Sequence, residues 1–128
     1  MSIEKIRKRI IQLKSKPLSY VEEVEAISQL VETSRTQEDL KALLKWVTEG
    51  HLEEVEKLLK KNLSLGLGTG TVTDHSDRTF KNITALQYAA WALDVDMVAL
   101  IMNYVGKYYS IVQLKALETA PERYSEYE

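Results

Sequence analysis

Apolar residues recur at spacings of three and four along most of this chain, and the breaks in that rhythm divide it into helices. In the run TALQYAAWALDVDMVALIMNY, Leu86, Ala89, Ala90 and Leu93 form one stripe, and Met97, Val98, Ile101 and Met102 form another. Thr84 is suited to cap the first helix, Asp94 or Asp96 to open the second, and Gly106 to stop it. Two antiparallel helices with a very short connection are predicted. A similar pair is predicted upstream: Thr36 and Asp39 are spaced as a weak capping pair before Leu40, Leu43, Leu44 and Val47. Gly50 then supplies a left-handed turn, and Val55, Leu58 and Leu59 form the returning face. Ser19 and Glu22 have capping-box spacing ahead of the stripe Tyr20, Val24, Ile27 and Val31. Residues 1–16 put Ile3, Ile6, Ile10 and Leu13 on one helical face, and Tyr108, Ile111, Val112, Leu114 and Leu117 predict a last, covering helix.

The helical rhythm fails over residues 63–83. Gly66, Gly68 and Gly70 alternate with Leu67 and Thr69, and Thr71-Val72-Thr73 reads as a strand leading into the polar turn Asp74-His75-Ser76-Asp77. Thr79-Phe80-Lys81 returns as a second strand. The prediction is a small hairpin, a finger projecting from the helices.

The run Thr84-Ala85-Leu86-Gln87-Tyr88-Ala89-Ala90 resembles the ankyrin pattern T-P-L-H-x-A-A, with Met97-Val98 and Ile101-Met102 at the second-helix positions of that family. Leu43, Gly50-His51, Val55, Leu58 and Leu59 match the same positions in an earlier copy, and aligning Lys41 with Thr84 separates the copies by 43 residues. The family repeat is about 33, so the excess is assigned to the finger. Three departures mark a divergent or capping repeat: Ala85 replaces the opening Pro, Gln87 the His that bonds between repeats, and Leu93 the inter-helix Gly. The first two imply weaker hydrogen bonding at the helix start. The longer phrase from Gly70 to Asp94 is similar to a segment of ankyrin-like proteins from intracellular gamma-proteobacteria, many of them suspected type IV secretion effectors.

Composition bounds the chemistry. The chain has 128 residues, 45% hydrophobic and 28% charged, with a net charge of −2, enough for one domain and ill-suited to a surface built for nucleic acid. It has no cysteine, which excludes disulfides and thiol catalysis and suits a reducing cytosol. No apolar run reaches the roughly 20 residues of a membrane span, and no amino-terminal signal pattern is present. Residues 1–16 carry a local charge of +5. They read as a packing helix with a solvated cationic face, the functional alternative being an interfacial helix on an anionic membrane. The glycines raise a phosphate cradle, but no Lys-Ser or Lys-Thr follows them and no helix comes next. Residues 74–77 group two carboxylates, an imidazole and a hydroxyl, yet lack the spacing of an EF-hand or a zinc site and read as a solvated turn. Glu53, Glu54 and Glu56, followed by Lys57, Lys60 and Lys61, offer pairs from Glu53 to Lys57 and from Glu56 to Lys60. After Pro121 the acidic tail reads as a frayed end, similar to the Glu-rich export signal of type IV effectors.

The expected fold is therefore all-α: an ankyrin-like stack of helix pairs with a short β-hairpin finger and flanking capping helices, about seven helices in one domain. Amino-terminal capping helices are assigned to residues 1–35, the two pairs with the inserted finger to 36–106, and the covering helix and tail to 107–128. The expected function is a non-enzymatic protein–protein interaction module. The resemblance implies a secreted bacterial effector that binds a host protein, in the cytoplasm or exported to the host cytosol. Candidate contacts are Val72, Asp74, His75, Asp77, Arg78 and Phe80 on the finger, with Trp46 and Trp91. No catalytic residue, metal or cofactor is expected. The alternatives are a small hydrolytic or metal-dependent enzyme working through residues 74–77, and a membrane-surface protein.

Overall fold

The computed structural model describes residues 19–29, 34–74, 76–120 and 125–126; the helix expected over residues 1–16 lies outside them, as does His75. The described chain is mostly helical, with a small antiparallel sheet. Six α-helices are described: α1 (Tyr20–Gln29), α2 (Ser34–Thr48), α3 (Leu52–Lys61), α4 (Ala85–Trp91), α5 (Val95–Val105) and α6 (Lys107–Thr119). A 3-10 turn, Leu63–Leu67, leads into strands β1 (Gly70–Thr73) and β2 (Thr79–Ile83). The tail expected to fray supplies β3, Ser125–Glu126, which pairs antiparallel with β2 on the side away from β1. No described helix is long and apolar enough to cross a membrane.

The helices begin where local chemistry favours it. Ser19 Oγ accepts from the Glu22 amide at 3.2 Å while the Ser19 amide donates to Glu22 Oε1 at 3.3 Å, the reciprocal capping box read from the sequence. Thr84 and Gln87 form a second box, fully buried, with Gln87 N to Thr84 Oγ1 at 3.1 Å and Thr84 N to Gln87 Oε1 at 3.0 Å. In α2 the stripe Leu40, Leu43, Leu44 and Val47 is buried as expected, and α3 buries Val55 and Leu59. On the outer face of α3 Lys60 pairs with Glu56 at 3.8 Å, whereas Lys57 reaches Glu54 at 3.4 Å instead of the expected Glu53.

The two helix pairs turn in the same way. After α2, the His51 amide donates to Trp46 O at 3.0 Å and the Gly50 amide to Val47 O at 3.2 Å. Forty-three residues later the Asp94 amide donates to Ala89 O at 3.0 Å and the Leu93 amide to Ala90 O at 3.1 Å. Both are Schellman endings with a left-handed residue, Gly50 at φ 74° and Leu93 at φ 58°. The residues that follow match as well: His51 has φ, ψ of −84°, 85° and Asp94 of −86°, 86°. α2 packs on α4, and α3 on α5. α6 lies against α4 and α5, as a covering helix should; α1 packs on α6 and the 3-10 turn rather than closing the far end of the first pair.

The glycine ribbon does not project as a whole. Leu65, Gly66, Leu67 and Gly68 are buried, as are Val72, Phe80 and Ile83. Alternate glycines seat it against the helices. A Cβ at Gly66 would stand 2.5 Å from Val105 Cγ2, at Gly68 2.9 Å from Leu40 Cδ2, and at Gly70 2.7 Å from Leu44 Cδ1. Polar bonds hold the same stretch: Ser28 Oγ accepts from the Thr69 amide at 3.1 Å, and Gln113 Nε2 donates to Gly66 O at 2.9 Å. Gln113 Oε1 also accepts from Thr84 Oγ1 at 2.8 Å, and Gln87 Nε2 donates to Gln113 O at 2.9 Å. Gln87 thus makes the inter-segment bond that its replacement of His had been expected to weaken. Within the hairpin, Thr71, Thr73, Lys81 and Asn82 reach solvent along the strands, and residues 76–78 do so at its end.

Candidate hairpin-tip interface

The exposed end is built around Asp74. Its Oδ1 accepts from the Ser76 amide at 2.9 Å and from the Arg78 amide at 3.0 Å, while its own amide donates to Arg78 O at 3.0 Å. The Asp77 amide donates to Asp74 O at 3.1 Å, and Asp77 takes φ 59°, a conformation Asp tolerates better than most residues. A carboxylate bridging successive amides in this way stiffens a short turn. One carboxylate oxygen, Oδ1, is thereby directed at the backbone.

Beneath the turn, three aromatic rings from two elements meet. Phe80, 0% exposed, lies edge-on to Tyr88 with centroids 5.3 Å apart and to Trp91 at 4.7 Å. The Arg78 guanidinium lies over the Trp91 ring, 4.7 Å from its centroid. Tyr88 and Trp91, one turn apart on α4, form the platform on which the hairpin rests. Burial raises the Tyr88 pKa above its usual 10.0, the Asp74 charge raises it further, and Arg78 opposes both.

Of the expected contact residues, Asp74, Asp77, Arg78 and Trp91 belong to this tip. Val72, at 5% exposure, and Phe80 are corrections: their buried side chains hold the ribbon to the helices and take no part in the tip. Trp46 is also separate. It packs partly buried on the core in the last turn of α2, edge-on to His51 at 5.1 Å, with the Lys45 ammonium 5.6 Å from its ring. His75 lies outside the described residues. Tyr88 was missed; its signal is the spacing of two aromatics, Tyr88 and Trp91, across one turn of α4 opposite Phe80 in the hairpin.

No family model and no solved structure matches the chain. An uncharacterized protein of Coxiella burnetii is 43% identical to it over 77 residues, which are 57% of this chain and 23% of that protein. The chain therefore spans less than a quarter of the length of that relative.

Proposed function

We propose that this chain is a non-enzymatic protein-interaction module of ankyrin-like build, and that the hairpin tip is the part that recognises a partner. The observation that carries this reading is the Arg78–Trp91 pair at 4.7 Å, presented beside Asp74 and Asp77 on a turn stiffened by backbone hydrogen bonds. Arg and Trp are the side chains that most often dominate binding energy, and holding them in place before contact lowers the entropy cost of association. The recurrence of one turn geometry after 43 residues, and the side-by-side contacts of α2 with α4 and α3 with α5, support the ankyrin-like reading. The further proposal of a bacterial effector acting on a host protein rests on the resemblance of residues 70–94, and a relative in a bacterium is in keeping with it.

A photo-crosslinking residue placed at Asp77 and exposed to host-cell lysate tests this. A discrete adduct is expected. Arg78→Ala should weaken capture about tenfold, the effect of losing roughly 1.4 kcal/mol at an interface hot spot, with thermal unfolding nearly unchanged. An adduct pattern indifferent to both Arg78→Ala and Trp91→Phe would overturn the assignment.

A further inference from the structure

The sheet has two edges, and the chain treats them differently. On the β2 side, Ser125–Glu126 adds a short antiparallel strand drawn from the acidic tail. On the β1 side no described strand is paired. The ladder shows which groups face outward. The bond from the Asp74 amide to Arg78 O makes that pair a hydrogen-bonded one, so the alternation of an antiparallel ladder makes Thr73 and Thr79 a non-bonded pair. The Thr73 N–H and C=O therefore point away from β2. Thr71 is skipped by the register between Gly70 and Val72, and both threonines are exposed.

Beside this edge runs a groove of about 170 Å³ with α2 as its far wall. Leu44 and Val72 line its floor, and Lys41, Lys45 and Thr48 line the wall across from Thr71 and Thr73. The lysines stand one turn apart, and among the described residues neither is in an ion pair. A turn of helix advances about 6 Å over four residues. Alternate residues of a strand are about 6.7 Å apart. Two acidic side chains on one face of an added strand would thus be spaced much as Lys41 and Lys45 are along α2.

We propose that the β1 edge binds an extended acidic peptide from another protein by strand addition, with its main chain bonding to Thr73 and alternate carboxylates facing Lys41 and Lys45. Main-chain bonds of this kind supply affinity and the facing side chains supply selectivity. The opposite edge already holds an acidic segment in this manner. Binding here is independent of the tip, because Lys41 and Lys45 take no part in the Arg78–Trp91 contact; failure at one surface leaves the other standing.

The test uses the full chain and a fluorescent hexapeptide alternating Glu and Val, followed by anisotropy and by amide NMR shifts. Saturable binding is expected, weakened at least tenfold in the double variant Lys41→Glu/Lys45→Glu, with shifts centred on Thr71, Thr73, Lys41 and Lys45. Raising the salt should weaken it as well. Thr73→Pro, which removes the outward donor, should reduce binding while Lys-to-Glu variants retain the wild-type fold. Absence of binding, equal binding of hexaglutamate, indifference to the double variant, or shifts confined to β2 would each overturn the proposal. If Thr73→Pro unfolds the chain, the double variant, whose two positions are exposed, still decides the matter.

Discussion

The two helix pairs share a turn but not a means of being held. The first pair, α2 and α3, turns at Gly50 and carries its ionic contacts on the surface, with Lys61 to Asp39 at 3.1 Å joining its helices. The second pair, α4 and α5, turns at a Leu that is 84% exposed at φ 58°, a conformation unfavourable for any residue with a Cβ. Its first helix starts in a buried capping box that Gln113 ties to α6 and to Gly66. Asp94 caps its second helix through the Met97 amide at 3.3 Å, whereas His51 gives α3 no such bond. The same backbone course is therefore kept in one pair by an unstrained turn and in the other by polar bonds that overcome a strained one.

Gln113→Leu attacks the comparison where the expected effect is largest. It takes the acceptor from the Thr84 O–H and the Gln113 donor from the Gly66 carbonyl inside the protein, and should lower stability by about 3 kcal/mol in urea melts. Removing Asp39 from its pair with Lys61, more than half exposed on the lysine side, should cost under about 1 kcal/mol by the same measurement. If the two losses came out equal, the contrast between the pairs would fail.

The turns themselves offer a reciprocal exchange. Gly50→Leu should destabilise the chain by about 1–2 kcal/mol, because the left-handed residue acquires a Cβ. Leu93→Gly should do the reverse, raising the free energy of unfolding by up to about 1 kcal/mol, since relief of the strain outweighs the added freedom of the unfolded chain. Opposite signs at positions 43 residues apart would show that both turns obey one geometry.

The smallest effect concerns the contact between the second helices. Tyr104 of α5 donates its hydroxyl to Glu56 Oε2 on α3 at 2.9 Å. Burial, and then the hydrogen bond and charge of Glu56, raise its pKa above 10.0. A raised pKa means the folded chain holds this proton more tightly, so its stabilisation is complete below pH about 10 and declines as pH rises through the folded value. Tyr104→Phe should flatten the alkaline limb of the stability profile and lower its neutral region modestly, where the bond to Glu56 is intact.

Much of this architecture was legible because it is local. The Ser19 and Thr84 caps, the stripe of α2, the left-handed Gly50 and the two hairpin strands all follow from residues within a few positions of one another; the stripe expected on α5 holds at Met97 and Ile101, but Met102 is exposed and Val105 is buried instead. What escaped depends on distant partners. Gln113 stands between Val112 and Leu114 in a final helix, and nothing in its neighbourhood signals bonds to Thr84 and Gly66. The ribbon glycines read as freedom to bend, whereas their use is the room they leave for Leu40, Leu44 and Val105, residues from two separate helices. Of the expected contacts, Asp74, Asp77, Arg78 and Trp91 lie at the candidate tip, whereas Val72 and Phe80 are buried, because strand alternation alone does not say which face meets a core. Tyr88 was missed because its neighbours at the tip come from the hairpin, not from α4.

The placing of Gln113 has a mechanical side. One side chain clasps the start of α4 and the bend of the ribbon, while Gly106 alone separates its helix from α5. Tension applied to the carboxy-terminal end of α6 is thereby led to two distant stretches of chain at once, and the joint has no slack in which to dissipate it. Rupture under load should come as a single abrupt release, not as gradual peeling.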